Sequence, residues 1–136
     1  MENCVFCKIV KGQIPSAKVY EDKFVICFLD IAPANKGHLL LVPRNHIETY
    51  LDIPDKVFHQ LNITLKKIIK ALSHALGNKG YNLLMNNYKV AGQLVPHAHI
   101  HIIPRFEHDG ITLNWRPKKY AKDQMRQLQH MIKKFL

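Results

Sequence analysis

The stretch "PHAHIHIIPR", Pro96 to Arg105, sets a histidine at every second position: His97, His99 and His101. Polar and apolar residues alternate through it, which is the period of a β-strand. One face of such a strand would carry Ala98, Ile100 and Ile102, a set suited to a core, and the other face the three imidazoles. Same-face neighbours on a strand lie roughly 6.6 Å apart, so the outer two histidines would be separated by roughly 13 Å. Neighbouring histidines could chelate one ion, but a straight strand cannot bring all three to it. The stretch therefore predicts at least two separate jobs.

Working outward, "KVYEDKFVICFLD" reads as two strands with Glu21 and Asp22 at the turn, and "HLLLVP" from His38 as a short strand that Pro43 ends. The period then changes. Val57, Leu61, Leu65, Ile68, Leu72 and Leu76 recur at three- and four-residue steps with lysines opposite, and Gly77 suits the helix end. A long amphipathic helix is predicted from Pro54 to Leu76. "YNLLMNN" reads as a strand, "YKVAGQLVP" as a loop, and Ala121 to Leu136 as a shorter helix with Met125, Leu128, Ile132 and Phe135 on one side. This order predicts an α+β fold, an antiparallel sheet with helices on one face.

A chain of 136 residues with 47% apolar content predicts one globular domain spanning residues 1–136. No run of about eighteen apolar residues marks a membrane span. "MENCVFCKIV" lacks the basic and apolar regions of a secretory signal, so a cytoplasmic location is expected. The net charge of +10 favours anionic partners such as nucleotides. The basic residues are scattered and accompany no nucleic-acid motif, so nucleic acid is not expected as a partner. Three cysteines in a reducing compartment do not suggest a disulfide framework, and Cys27 in "FVICFL" reads as a core thiol. Cys4 and Cys7 form Cys-x-x-Cys, which alone is compatible with redox chemistry, metal binding or coincidence. The strand and βαβ context of a thioredoxin-like motif is missing.

"HAHIHII" matches His-φ-His-φ-His-φ-φ, where φ is apolar, and the chain here resembles the histidine triad family of nucleotide-binding proteins. "CFLDIAP", "GHLLLVPRNH" and "NNYKVAGQLVPHAHIHIIPR" resemble the family in the same order, over roughly residues 4–105, leaving 106–136 as a C-terminal extension. The resemblance implies a hydrolase or transferase that attacks the α-phosphorus of purine nucleotide conjugates through a nucleotidyl-histidine and releases the monophosphate. Its nucleophile would be His99, with His101 and His38 flanking the phosphate. Asp30 would accept hydrogen bonds from the ribose hydroxyls, a role that suits an acceptor-only carboxylate. Val5, Phe6, Ile9, Leu29 and Ile31 would form the slot for the base, although each alone reads as ordinary core. Asn86, Gly92 and Gln93 match positions that contact phosphate in relatives. The resemblance to zinc-containing bacterial members further implies a closed structural zinc site of Cys4, Cys7, His46 and His97. It also implies a homodimer built on the long helix and "YNLLMNN".

One position departs from the family pattern. Where several relatives carry a hydroxyl residue or a glutamate after Gly-Gln, this chain has Leu94, which can do neither job. Two other readings follow: a nucleotide-sensing or partner-binding protein with little turnover, to which Leu94 points, and a metallohydrolase with His97 and His99 as ligands. The latter lacks the further Asp and His ligands that such a motif needs nearby.

Overall fold

The computed structural model describes residues 3–136, so the first two residues of the expected domain lie outside it. Five strands form one antiparallel sheet: β1 (Lys18–Glu21), β2 (Val25–Leu29), β3 (Leu39–Pro43), β4 (Gly80–Leu84) and β5 (Ile100–Arg105). Their order across the sheet is β1-β2-β3-β5-β4. Three helices accompany it, α1 (Val5–Val10), α2 (Asp55–Leu76) and α3 (Gln124–Lys133). The α+β expectation is therefore met.

The central strands explain the layering. β2 and β3 are apolar at almost every position, so both of their faces need cover. On one face Val25, Cys27, Leu39, Leu41 and Ile102 pack against Leu61, Leu65, Ile68 and Leu72 of α2. Burial there pushes the Cys27 thiol up to about 12, as expected of an inert core cysteine. On the other face Ile26, Phe28, Leu40 and Val42 pack against Cys4, Phe6, Cys7 and Ile9 of the N-terminal segment. The expectation of helices on one face is thus corrected: α1 covers the opposite face, because two-sided strands cannot leave one side wet.

α2 begins after Pro54 and ends at Gly77, whose φ of 63° provides the left-handed stop. The C-terminal helix is shorter than its apolar spacing suggested, Gln124–Lys133, and buries no residue; of its apolar stripe only Leu128 is half-buried. The histidine strand is also shorter at its start. β5 begins at Ile100, and His97 to His99 lie in an irregular segment ahead of it. That irregularity separates the three imidazoles.

Candidate functional site

His101 pairs opposite Leu40 in the β3–β5 ladder, on the sheet face away from α2. His38 lies one residue before β3 and is buried. The rings of His38 and His101 meet there, with Nε2 of His38 2.9 Å from Nδ1 of His101. The direction of this bond follows from the backbone. Ala34 N–H donates to His38 Nδ1 at 3.0 Å. A neutral His38 must then carry its proton on Nε2 and donate to His101 Nδ1. His101 in turn keeps its own proton on Nε2, as a free donor.

His99 is oriented separately. Its Nδ1 lies 2.7 Å from the carbonyl oxygen of His97 and can only donate to it, which leaves the lone pair on Nε2. Phe6 packs edge-on against His99 with ring centroids 5.1 Å apart, and against His97 at 5.8 Å. The His99 and His101 rings are 4.9 Å apart. One free lone pair and one free N–H donor therefore sit on neighbouring rings.

Asp30 ends the run out of β2, with Oδ2 3.7 Å from His38 Nε2 and Oδ1 accepting Ala32 N–H at 2.9 Å. Asp30, His38 and His101 are close enough to suggest a metal triad. The tautomer argues against it, because the free lone pair of His38 is turned to Ala34 and not to the shared space. Of the expected slot residues, Phe6 and Ile9 are buried, Val5 and Leu29 are near 40% exposed, and Ile31 is almost fully exposed. Phe6 and Ile9 share one apolar cluster, which does not include Val5, Leu29 or Ile31.

The loop from Asn86 to Pro96 is tied down by side chains. Gln93 is buried; its Oε1 accepts Tyr88 N–H at 2.7 Å and its Nε2 donates to Glu48 O at 2.7 Å. Tyr88 has a φ of 66°, a strained value for a non-glycine residue, and this clamp holds it. Asn86 Nδ2 lies 3.4 Å from Gly92 O, and Gly92 itself has a φ of 88°. Both polar atoms of the Gln93 side chain are therefore already engaged, one to this loop and one to the segment after β3. Leu94, within this loop, is 93% exposed.

A second cluster lies on the other side of Phe6. Sulfur and nitrogen donors of Cys4, Cys7, His46 and His97 all fall within 4.8 Å of one another. Cys4 precedes the first turn of α1 and Cys7 lies in it, so one helical turn brings the two thiols together. The context differs from a redox motif, since α1 is preceded by no strand among the described residues. His97 Nε2 donates to Pro43 O at 2.8 Å, which frees Nδ1 to face Cys4 Sγ at 3.4 Å and Cys7 Sγ at 3.6 Å. His46 Nδ1 is 3.3 Å from Cys7 Sγ. A tetrahedral zinc with bond lengths of about 2.3 Å to sulfur and 2.05 Å to nitrogen needs S···N edges of about 3.6 Å. The donor set fits such an ion. Burial, and then the neighbouring Cys4, raise the Cys7 thiol above its usual range, which a bound cation would reverse.

The histidines differ in electrostatics as well. Burial pushes His101 down to about 4, reinforced by the His99 and His38 rings and opposed by Asp30. His38 is lowered by burial against the pull of Asp30. Burial also lowers His97.

Comparison with known proteins gives a consistent picture. The model of the HIT domain matches residues 11–108. The protein named "Protein hit" of Bacillus subtilis is 46% identical over 123 residues, covering 90% of this chain and 83% of its own. The adenosine 5'-monophosphoramidase hnt1 of Schizosaccharomyces pombe is 38% identical over 127 residues, covering 93% and 92%. The crystal structure of a HIT family member from Bacillus subtilis superposes with a TM-score of 0.91 at 42% identity, covering 98% of this chain and 97% of that one.

The lowered His101 sets a pH dependence. Between about 6.5 and about 4 the unfolded chain takes up this proton and the folded chain does not, so stability falls as pH falls through that window. Urea denaturation at pH 7 and pH 5 should show a larger loss for the wild type than for His101→Asn. Equal losses in the two proteins would contradict the assignment.

Proposed function

The chain belongs to the HIT domain family, and on that premise we propose that it is a nucleotide hydrolase acting on purine nucleoside phosphoramidates or related nucleotide conjugates. The observation that carries this reading is the pair of opposed hydrogen bonds at His99 and His101. Nδ1 of His99 is spent on the His97 carbonyl, which favours Nε2 as nucleophile. His101 accepts from His38 and keeps a donor free for the phosphate. A relative of similar length bears the name adenosine 5'-monophosphoramidase, which supports the substrate class.

In the proposed reaction the Nε2 lone pair of His99 attacks the α-phosphorus. The bond from phosphorus to the leaving group breaks, and the leaving amine or phosphate departs with that electron pair. The His38–His101 pair supplies its proton and stabilises charge on the phosphate oxygens. Water then attacks the same phosphorus, the N–P bond to His99 breaks, and the monophosphate is released while the proton lost by water returns to the pair. Asp30 would hold the ribose diol. Val5, Phe6, Ile9, Leu29 and Ile31 would border the base, and Asn86, Gly92 and Gln93 would shape the phosphate loop. The alternative, a sensing protein with little turnover, has one feature in its favour, the exposed Leu94 where a leaving-group contact would stand.

The Cys4, Cys7, His46 and His97 set would hold one structural zinc. Bound, the ion would supply cross-linking energy between α1 and the segments after β3 and before β5. Its four protein donors leave no place for a reacting water. A homodimer completes the proposal. β4 is an edge of the sheet, yet Tyr81, Leu83 and Leu84 on it are exposed, as is Ile63 on α2. Pairing α2 and β4 with a second copy would bury on the order of 2,000 Å² or more. Among the described residues no helix is long and apolar enough to cross a membrane, and the location proposed is cytoplasmic. The whole chain would act as one domain.

Kinetics, adduct mapping, metal analysis and sedimentation test these statements. His99→Ala should abolish release of adenosine monophosphate from adenylated amines, while monophosphate affinity stays within about tenfold, since base and ribose contacts lie elsewhere. A trapped nucleotidyl adduct should map to His99; mapping to His97 or His101 would overturn the role. Elemental analysis should find about one zinc per chain, lost in Cys4→Ala or His46→Ala together with thermal stability, while turnover per folded molecule largely survives. Chelation that stops turnover in a folded protein would instead favour the metallohydrolase reading. Sedimentation equilibrium at micromolar concentration should give twice the chain mass of 15.8 kDa, and a monomer would refute the interface.

A further inference from the structure

Past the end of β5 the carboxylate of Asp109 meets five donors. Arg105 contributes Nε at 2.7 Å and Nη2 at 2.8 Å, and the N–H groups of Phe106 and Ile111 lie at 3.0 and 3.1 Å. The fifth is Nδ2 of Asn35 at 3.1 Å. These donors hold the Asp109 carboxyl well below the usual carboxylate range, so it stays an acceptor at any working pH. Arg105 is itself anchored to Asn82 Oδ1 on β4 at 2.7 Å and to Ile111 O at 2.7 Å. Four of the five donors are local to Asp109. Asn35 is the exception, 74 residues away in the sequence and seated in the loop between β2 and β3.

That loop runs from Asp30 to His38. Asn35 Nδ2 also donates to Pro104 O at 3.1 Å, and Asn35 O accepts His38 N–H at 3.0 Å. One residue thus ties the loop to β5 and opens the turn that closes on His38. Within the same turn Ala34 N–H meets His38 Nδ1. The loop also lies hard against the end of α2. Gly37 has a φ of 86°, and a Cβ there would run into Leu76 Cδ1, so the chain passes without clearance. Nothing in the chemistry proposed above needs Asn35, Arg105 or Asp109 to touch a substrate. Through Asn35 they instead reach the loop whose backbone presents Ala34 N–H.

We propose that Asn35, held by the Asp109–Arg105 pair, is a positioning residue that fixes the tautomers of His38 and His101 by docking the loop that presents Ala34 N–H to His38 Nδ1. A neutral imidazole can carry its proton on either nitrogen, and the two forms differ in which side donates. If the loop drifts, His38 Nδ1 loses its donor and the bond to His101 can run in either direction. In the reversed form His101 carries its proton on Nδ1, facing His38, and offers a lone pair where the mechanism needs a donor. The kinetic part of this inference rests on the hydrolase reading; the tautomeric part does not.

The test compares the full-length wild type with Asn35→Asp, which keeps the size, removes both donors and sets a like charge against Asp109. Nitrogen-15 spectra of the histidine rings near pH 8 should show both Nδ1 atoms of His38 and His101 unprotonated in the wild type. In Asn35→Asp their shifts should move toward the average of the two tautomers. Turnover of an adenylated amine should fall about tenfold or more with KM within about threefold, because proton delivery is impaired and the nucleotide contacts are retained. A folded variant with wild-type ring spectra and wild-type kcat, altered only in melting temperature, would overturn the proposal. If Asn35→Asp does not fold, Asn35→Ser and Asp109→Asn weaken the same contact more gently and carry the same expectation. If the wild type turns over none of the adenylated compounds, the ring spectra alone decide the inference, and the failure falls on the hydrolase reading.

Discussion

The register between β3 and β5 is the constraint on which everything else hangs. Leu39 faces Ile102, Leu40 faces His101 and Leu41 faces Ile100. With side chains alternating between faces, this register puts Leu39, Leu41 and Ile102 under α2 and leaves His101 on the other side with His38. A slip by one residue would bury the imidazole against α2 and set isoleucine on the face that carries His38. Burial of Ile102 and Leu41, both at 0% exposure, makes that slip costly. The chemistry of the sheet's second face is thus secured by hydrophobic packing on the first.

Much of this was legible from residues alone. Alternation in "HAHIHII" located β5, the 3.6-residue spacing from Val57 to Leu76 located α2, and Pro54 and Gly77 marked its ends. The donors of the Cys4, Cys7, His46 and His97 cluster were named together, and the structure brings them together. Other features were hidden for identifiable reasons. α1 spans six residues, too few to show a period, and its apolar positions merge with the Cys-x-x-Cys spacing. The start of β5 was misplaced because alternation continues through His97 and Ala98, although the backbone has already left the ladder.

The clamp on Asp109 was invisible for a different reason. Arg105 and Asp109 are four residues apart and could be suspected as a pair, but Asn35 joins them only through tertiary structure. A loop asparagine gives no period and no motif. Gln93 is similar: the resemblance points to it as a phosphate contact, while its side chain spans from Tyr88 to Glu48 and holds the loop shape. Polar residues whose partners are main-chain atoms leave little trace in the order of letters.

The same fact bears on how this site tolerates change over time. His97 is oriented by Pro43 O, His99 by His97 O and His38 by Ala34 N–H. In each of the three, one ring nitrogen is committed to a main-chain group, and that commitment sets the tautomer. An exchange at position 34, 43 or 97 alters the group hung on the backbone but leaves the carbonyl or amide in place, provided the local conformation persists. At position 34 the one replacement that removes the group outright is proline, which has no N–H. Apart from the imidazoles themselves and the Asn35–Asp109–Arg105 clamp, the site therefore offers few single-letter targets through which drift could scramble its rings. Variation can accumulate around it in packing residues while the polarity of each ring is inherited with the fold.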